Sequence, residues 1–288
     1  MMERSKVLVQ LQQWIQVRQQ LLGKRAYGQP SSGEAVSVLR QAAMVSAAKS
    51  AGASSSSRPS LVTETEVLLP SVRLPRFRMA VVGGEDLFSA VPEWQQSQSL
   101  GELYKHIHTC TKCSLGLTRT HFVFGVGNPN ADIVLVGEAP GAEEDARGEP
   151  FVGAAGQLLN RMLQAIGFRR EDVYICNILK CRPPNNRRPM PQEIETCRPY
   201  LWKQLELIQP AFLLALGATA AAALLQRDYK IADLRGRAIP FHGLVMVVTY
   251  HPAALLRNPQ WKRPAWEDLQ LLRRLYDAYR QRLQAVQR

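Results

Sequence analysis

Long apolar runs are missing from this sequence. No stretch approaches the ~18 residues that a membrane-spanning helix needs, and the longest, around residues 211–225, is interrupted by Gly217. We interpret that stretch as a buried strand that leads into a helix. The N-terminus also shows no secretory leader pattern. We therefore expect a protein that does not bind membranes and that is located in the cytoplasm.

Three common catalytic signatures are absent as well. The chain has no Gly-x-Gly-x-x-Gly followed by an acidic residue about twenty positions later, and no GxxxxGK[ST] loop. No serine follows a predicted strand in the way that a hydrolase nucleophile does. The sequence thus gives little support to a dinucleotide-binding enzyme, a P-loop enzyme or a Ser-His-Asp hydrolase.

Acidic residues are too few to balance the basic ones. The chain has 24 Asp and Glu against 36 Lys and Arg, a formal net charge of +12. Such a balance favours a polyanionic partner such as nucleic acid over an acidic small molecule, although it also serves plain solubility.

Cysteine is scarce, and its five positions raise the question of a metal site. An odd count without a leader argues against a disulfide framework. Cys110 and Cys113 form a CxxC pair, and the distant Cys181 and Cys197 can complete a four-thiolate shell once the chain folds. Spacing alone leaves open an iron–sulfur cluster, a structural zinc ion and a redox pair. Cys176 lies within a strand pattern, which indicates a buried free thiol.

The first ninety or so residues differ in composition from the rest. Residues 1–27 carry apolar side chains at helical spacing, which predicts one amphipathic helix. Residues 28–95 are rich in Ser, Ala and Pro and predict a low-complexity, largely disordered linker. We expect the folded domain to span residues 96–288 and the extension to serve, if anything, as a site for a protein partner.

Apolar strand patterns alternate with amphipathic helix patterns along the folded part. The predicted strands cover residues 131–136, 173–180, 211–217 and 244–250, and the main predicted helices cover residues 155–166, 192–207 and about 264 to the C-terminus. Strands that are apolar throughout predict an α/β fold with a mostly parallel sheet covered on both faces. Ligands bind beyond the carboxyl ends of such strands, so Glu138, Asn177 and His251 should converge there.

Four sequence blocks resemble the family 4 uracil-DNA glycosylases, the iron–sulfur branch of their superfamily. The blocks are G-E-A-P-G-A-E-E-D, G-E-P-F-V-G-A-A-G-Q-L-L, N-I-L-K-C-R-P-P-N-N-R-R-P and H-P-A-A-L-L-R, all between about residues 100 and 279. The resemblance implies a three-layer α/β/α sandwich and hydrolysis of the N-glycosidic bond of deoxyuridine in DNA. It also implies a 4Fe–4S cluster held by Cys110, Cys113, Cys181 and Cys197.

The resemblance implies a role for each residue at the strand ends. Phe151 stacks on the flipped uracil, Asn177 pairs with its N3–H and O4, and His251 stabilises the charge that develops on O2. Glu138 positions the attacking water or offsets the positive charge on the sugar. Without the resemblance, the same residues would be an ordinary core aromatic, a turn-capping amide and structural hydrogen-bonding groups.

The remaining residues of the predicted pocket concern substrate selection. Gly137, Ala139 and Gly141 belong to its wall, and Ala139 stands where better-known relatives carry a water-activating aspartate. Relatives with a tyrosine at the position of Gly141 use that ring to exclude the C5 methyl of thymine. Here Glu144 is the candidate for that task, and its alternative is a solvated acid at a helix N-terminus.

Contacts to the DNA backbone are predicted on either side of the pocket. After His251, either Leu255 or Leu256 should wedge into the base stack from the minor groove while Arg257 meets a phosphate. Arg182 begins a basic, proline-stiffened loop suited to the backbone. The implied substrate is uracil-containing DNA, single- or double-stranded, acted on by a monomer.

Two alternatives to excision stay open at this point. One is the superfamily branch that traps the abasic site covalently, which carries glutamine at the position of Ala139 and a K-R-R-I-H loop that this sequence lacks. The other is a non-catalytic uracil-DNA or nucleic-acid binding module with the same fold. The presence of Glu138, Phe151, Asn177 and His251 together argues against loss of catalysis.

Overall fold

A computed structural model of the chain describes residues 91–287. The predicted helix in residues 1–27, and the predicted linker as far as residue 90, lie outside the described residues. Within the described part, helix α1 (Glu93–Gln96) places Trp94 against Tyr200, with ring centroids 5.0 Å apart. Packing against the core therefore begins just before residue 96, the predicted start of the domain.

A single six-stranded sheet forms the centre of the described region. Its strands are β1 (Val126–Gly127), β2 (Ile133–Gly137), β3 (Tyr174–Asn177), β4 (Phe212–Leu216), β5 (Ile239–Phe241) and β6 (Leu244–Thr249). The strand order is β1-β3-β2-β4-β6-β5. Strands β3, β2, β4 and β6 pair in parallel, and the short edge strands β1 and β5 pair antiparallel to their neighbours. The prediction of a mostly parallel sheet is confirmed, although the two edge strands were not predicted.

Helices cover both faces of this sheet. After α1, they are α2 (Leu100–Ile107), α3 (Leu115–Thr118), α4 (Ala142–Arg147), α5 (Ala154–Ala165), α6 (Pro191–Ile208), α7 (Ala218–Leu225), α8 (Ile231–Leu234), α9 (Pro252–Arg257) and α10 (Lys262–Gln287). The last helix begins two residues before the predicted position near residue 264. No helix in this part of the chain has the length and apolar character to cross a membrane.

Alternate residues of each central strand are buried in two different cores, one on each face of the sheet, which gives a helix–sheet–helix arrangement of three layers. Successive side chains of a strand point to opposite faces, and in β2 Val134 and Val136 join one core while Ile133 and Leu135 join the other. Helices α2, α6 and α7 fill the first core, and α5 and α10 fill the second. Both faces are buried, which is why the strands are apolar throughout. The predicted α/β/α sandwich is confirmed.

Two helical glycines differ in the space around them and provide a matched test. A Cβ at Gly156 in α5 would overlap the carbonyl oxygen of Phe151 and lie 2.9 Å from its Cα, whereas at Gly101 in α2 the nearest atom would be 4.0 Å away. Gly101→Ala should raise the free energy of unfolding by roughly 0.5–1 kcal/mol, because alanine favours helix. Gly156→Ala should lower it by about 1–3 kcal/mol, the cost of overpacking.

Denaturant unfolding of the two alanine variants beside the parent chain measures both effects. Equal changes in the two variants would contradict the close approach of α5 to the Phe151 backbone.

Candidate active site

A cavity of about 350 Å³ opens beyond the carboxyl ends of the parallel strands. Strand β2 ends at Gly137 and β3 at Asn177, and these two residues are paired in the parallel register. The predicted site residues that line the cavity are Glu138, Ala139, Gly141, Glu144, Phe151, Asn177, His251 and Arg257. The structure therefore brings together residues that lie more than one hundred positions apart in the chain.

Gly137 allows Asn177 and Phe151 to meet at the base of the cavity. A Cβ at this position would overlap Asn177 Oδ1 and lie 2.6 Å from Cζ of Phe151. The atoms that it would meet belong to the Asn177 and Phe151 side chains, so any residue other than glycine would displace the amide or the ring. Glycine is thus required here for close approach.

Asn177 presents an unpaired acceptor. Its side chain is only 2% exposed, and no hydrogen-bond partner of Oδ1 exists among the described residues. Its backbone carbonyl, in contrast, accepts a hydrogen bond from the Lys180 ammonium at 2.8 Å. A buried acceptor without a partner costs about 1–3 kcal/mol, which a ligand with an N–H donor would recover.

Phe151 is held in a backbone conformation that bulky side chains rarely adopt. Its φ is +53° and its side chain is buried, a combination that costs on the order of 1–3 kcal/mol and is typical of functional sites. Arg170 braces the turn, because it donates hydrogen bonds to the carbonyls of Pro150 and Phe151 and to Asn160 Oδ1. The aromatic ring is thereby fixed against the cavity, 5.6 Å from the His251 ring.

His251 is a neutral imidazole with one defined donor. It caps α9, and its Nδ1 accepts a hydrogen bond from the Ala253 amide at 3.2 Å. That bond requires the proton of the neutral ring to be on Nε2. Burial, and next the charge of Arg257, lower the pKa of His251 from its ordinary value of 6.5 to about 4, against a smaller opposing effect of Glu144.

The two glutamates of the cavity differ in how they are bonded. The carboxylate of Glu144 accepts hydrogen bonds from the backbone amides of Gly141, Val152 and Gly153 at 3.0–3.1 Å. It ties the start of α4 to the loop that carries Phe151, rather than being solvated. The carboxylate of Glu138 makes no hydrogen bond or ion pair with any residue described, so it can receive a water molecule.

Helix α9 distinguishes between the two leucines proposed for the base stack. Leu255 is 1% exposed and belongs to the core shared with α5 and α10, whereas Leu256 is 43% exposed. Of the two predicted alternatives, Leu255 is the less suited to enter the base stack, because the helical turn directs it into the core. Leu256 remains, and Arg257 beside it lines the cavity.

The loop after Cys181 adds cavity residues that the sequence did not identify. Asn186 and Arg187 line the cavity, while Arg182 lies outside it and donates to Asn186 Oδ1 at 2.7 Å. The two terminal nitrogens of the Arg187 guanidinium donate hydrogen bonds to the buried carboxylate of Glu193, at 2.6 and 2.9 Å. The consecutive asparagines Asn185 and Asn186 were the sequence signal for a tight turn at this place. Both adopt the left-handed backbone conformation that asparagine tolerates.

The four cysteines predicted to bind metal are neighbours in the structure. Burial first, and then the nearby Cys113 and Cys110, raise the pKa of the Cys181 thiol. Burial likewise raises the pKa of Cys197 to about 12, with further increases from Cys181 and Cys110. Among residues 91–287, no three His, Cys, Asp or Glu side chains are arranged to hold a single metal ion.

Polar groups surround these thiols. Arg119 donates to Cys181 Sγ and the Tyr200 hydroxyl donates to Cys110 Sγ, each at 3.3 Å. The fifth cysteine, Cys176, is buried within β3, as its strand position predicted.

Comparison with known proteins agrees with these observations. A family model described as the uracil DNA glycosylase superfamily matches residues 124–270. The type-4 uracil-DNA glycosylase of Archaeoglobus fulgidus is 47% identical over 179 residues, which cover 59% of this chain and 90% of that protein. Its counterpart in Thermotoga maritima is 47% identical over 170 residues, which cover 58% of this chain and 88% of that protein.

A third relative extends the same pattern. The type-4 uracil-DNA glycosylase of Pyrobaculum aerophilum is 43% identical over 180 residues, which cover 59% of this chain and 91% of that protein. The sheet, the cavity and the four sequence blocks all fall within the region of similarity that these comparisons describe. The chain belongs to the uracil-DNA glycosylase superfamily and, within it, to the type-4 uracil-DNA glycosylases.

Proposed function

We propose that this protein removes uracil from DNA by hydrolysing the N-glycosidic bond of deoxyuridine, which leaves an abasic site. The observation that carries the proposal is the buried Oδ1 of Asn177, which has no hydrogen-bond partner among residues 91–287 and lies near the ring of Phe151 and the neutral imidazole of His251. Similarity to type-4 enzymes favours excision over covalent trapping or simple binding.

Recognition of the base follows from the amide and the ring. A uracil within a duplex is inaccessible, so the nucleotide must first rotate out of the base stack. Phe151 would then stack on the uracil face, Asn177 Oδ1 would accept N3–H, and Asn177 Nδ2 would donate to O4. Cytosine carries an acceptor at N3 and a donor at position 4, which is the opposite polarity.

Bond cleavage requires stabilisation of two charges. As the N1–C1′ bond breaks, its electron pair leaves with uracil and positive charge develops on the sugar. The Nε2–H of His251 would donate to uracil O2 and stabilise the anion, and a neutral donor suits this task. Glu138 would orient a water whose oxygen bonds to C1′, and the proton released from that water ends on the departing uracil or in solvent.

Thymine must be excluded for such an enzyme to be safe. Gly141 leaves one wall of the cavity without a side chain, and Glu144 lines the cavity from the same segment. Because three backbone amides hold its carboxylate, Glu144 would oppose the C5 methyl group with little freedom to move aside. Specificity built in this way depends on a rigid wall.

DNA would contact the rim of this cavity. Leu256 is exposed beside it and Arg257 lines it, so the first would enter the base stack and the second would meet a phosphate. Arg182 and the rest of its loop add positive charge, which suits the polyanionic backbone. The substrate class is thus uracil-containing DNA.

A 4Fe–4S cluster would be held by Cys110, Cys113, Cys181 and Cys197. The four thiols are buried or partly buried neighbours, and Arg119 and Tyr200 donate hydrogen bonds to two of them. This all-sulfur donor set fits an iron–sulfur cluster. When bound, the cluster supplies a cross-link between the loop after α2, the loop after β3 and helix α6, since hydrolysis consumes no electrons.

Alanine replacements separate catalysis from DNA binding. Asn177→Ala or His251→Ala should slow single-turnover excision from a uracil oligonucleotide by roughly 100-fold or more, the scale of losing one preorganised oxyanion donor. Their affinity for undamaged DNA should stay near that of the parent chain. Arg257→Ala should instead weaken DNA binding and reduce the magnitude of its log-salt slope by about one unit.

The assay uses single- and double-stranded oligonucleotides with uracil or thymine at one position. Unchanged excision in both Asn177→Ala and His251→Ala would refute the active-site assignment. Absence of uracil excision by the parent chain, prepared anaerobically, would refute the proposed function itself.

The cluster proposal is tested by metal content. Anaerobically purified protein should contain about four irons, and Cys197→Ser should lose most of them because it removes one ligand. Cys176→Ser is the matched control and should retain the iron, since Cys176 lies within β3. Stoichiometric zinc without iron would contradict the proposal.

A further inference from the structure

A buried polar network supports the strand end that presents His251. Asp268 of helix α10 is fully buried. Its carboxylate accepts hydrogen bonds from Thr249 Oγ1 at 2.9 Å, from Arg235 Nε at 3.1 Å and from the Gly236 amide at 2.8 Å. Thr249 is the last residue of β6 and lies two positions before His251.

The same arginine also contacts the residue between Thr249 and His251. The Arg235 guanidinium lies 5.2 Å from the centroid of the Tyr250 ring, and the same ring stacks on Trp261 with centroids 4.8 Å apart and an interplanar angle of 15°. Arg235 donates a further hydrogen bond to the carbonyl of Pro264. Tyr250 is therefore held by a cation–π contact and by ring stacking.

The backbone of this segment is fixed as well. The Gly217 amide donates to the carbonyl of Thr249 at 2.8 Å. Gly217 has a φ of +96°, and a Cβ there would lie 3.1 Å from Cβ of His251. With His251 capping α9 through Nδ1, each residue of the Thr249–His251 segment is held by a contact outside its own strand.

We propose that Asp268 and Arg235 are positioning residues, which set the orientation of the His251 imidazole through Thr249 and Tyr250. The inference rests on the function proposed above for His251. Stability alone explains the buried pair poorly, because replacing such pairs by apolar residues is often neutral or stabilising. Orientation explains it better, since a displacement of about 1 Å at a catalytic group can reduce the rate 100-fold.

Thr249 offers a matched pair of substitutions. Thr249→Val keeps the shape and replaces the hydroxyl that bonds to Asp268 with a methyl group, whereas Thr249→Ser keeps the hydroxyl and loses a buried methyl group. We expect Thr249→Val to lower the single-turnover excision rate by about 10- to 100-fold with little change in the affinity for uracil-DNA. Thr249→Ser should stay within about threefold of the parent rate, because it preserves the hydrogen bond.

A second readout does not depend on excision. Nitrogen-15 NMR of the DNA-free protein should place the His251 proton on Nε2 in the parent chain and in Thr249→Ser, with altered imidazole shifts in Thr249→Val. If the parent chain excises uracil and Thr249→Val does so equally fast with unaltered shifts, this inference falls while the proposed function stands. If the parent chain is inactive, the proposed function fails, and the imidazole shifts alone decide the positioning claim.

Arg235→Lys covers the case in which Thr249→Val does not fold. It keeps a positive charge beside Asp268 but removes the planar group that contacts Tyr250. A reduced excision rate with parental DNA affinity would support the inference. A parental rate would overturn it.

Discussion

The close approach of three chain segments at Gly137 is the constraint on which the pocket depends. The parallel register of β2 and β3 sets Gly137 beside Asn177, and the loop before α5 brings Phe151 onto the same point. Any side chain at Gly137 would push the amide and the ring apart. The position of the proposed uracil-reading group is thus determined by sheet register, which the two buried cores maintain.

The pocket contains several features that are unfavourable in the absence of a ligand. Within the described part of the chain Asn177 Oδ1 has no hydrogen-bond partner, Phe151 has a left-handed backbone, and His251 is partly buried as a neutral imidazole. The surrounding structure offsets these costs through contacts such as the Arg170 brace on the Phe151 turn. Strain and unsatisfied polarity of this kind are typical of a site prepared for a specific ligand.

The protonation state of His251 affects both the proposed activity and the folding stability. Its pKa is lowered from 6.5 to about 4, so between these values the unfolded chain binds a proton that the folded chain does not. The contribution of this residue to folding stability is therefore fully present above pH 6.5 and decreases as the pH falls toward 4. At pH values well above 4 the imidazole of the folded protein is neutral, as the proposed oxyanion donor requires.

Sequence patterns predicted the parallel core well because it is buried on both faces and its strands are continuously apolar. They also predicted that Glu138, Asn177 and His251 would converge, because that follows from strand ends alone. They did not predict the short edge strands β1 and β5, whose two or three residues carry little pattern.

The sequence could not predict which side chains are exposed at the rim of the cavity, because tertiary packing decides this. Leu255 and Leu256 are chemically identical, and only the helical phase of α9 buries the first and exposes the second. Arg187 belongs to the basic loop that begins at Arg182, and its bond to Glu193 depends on how that loop meets α6. Such distinctions arise from tertiary packing, which residue types do not encode locally.

Binding of two isomeric ligands tests the account of the pocket most directly. In 1-methyluracil the methyl group takes the place of the sugar and leaves N3–H free. In 3-methyluracil the methyl group replaces the N3 hydrogen, so the ligand has no N3–H to donate to Asn177 Oδ1. Calorimetric titration of each isomer into the DNA-free protein should give about 5- to 150-fold tighter binding of 1-methyluracil, because a buried acceptor left unpaired costs about 1–3 kcal/mol. Equal affinity for the two isomers, or preference for 3-methyluracil, would contradict the claim that Asn177 reads the uracil edge.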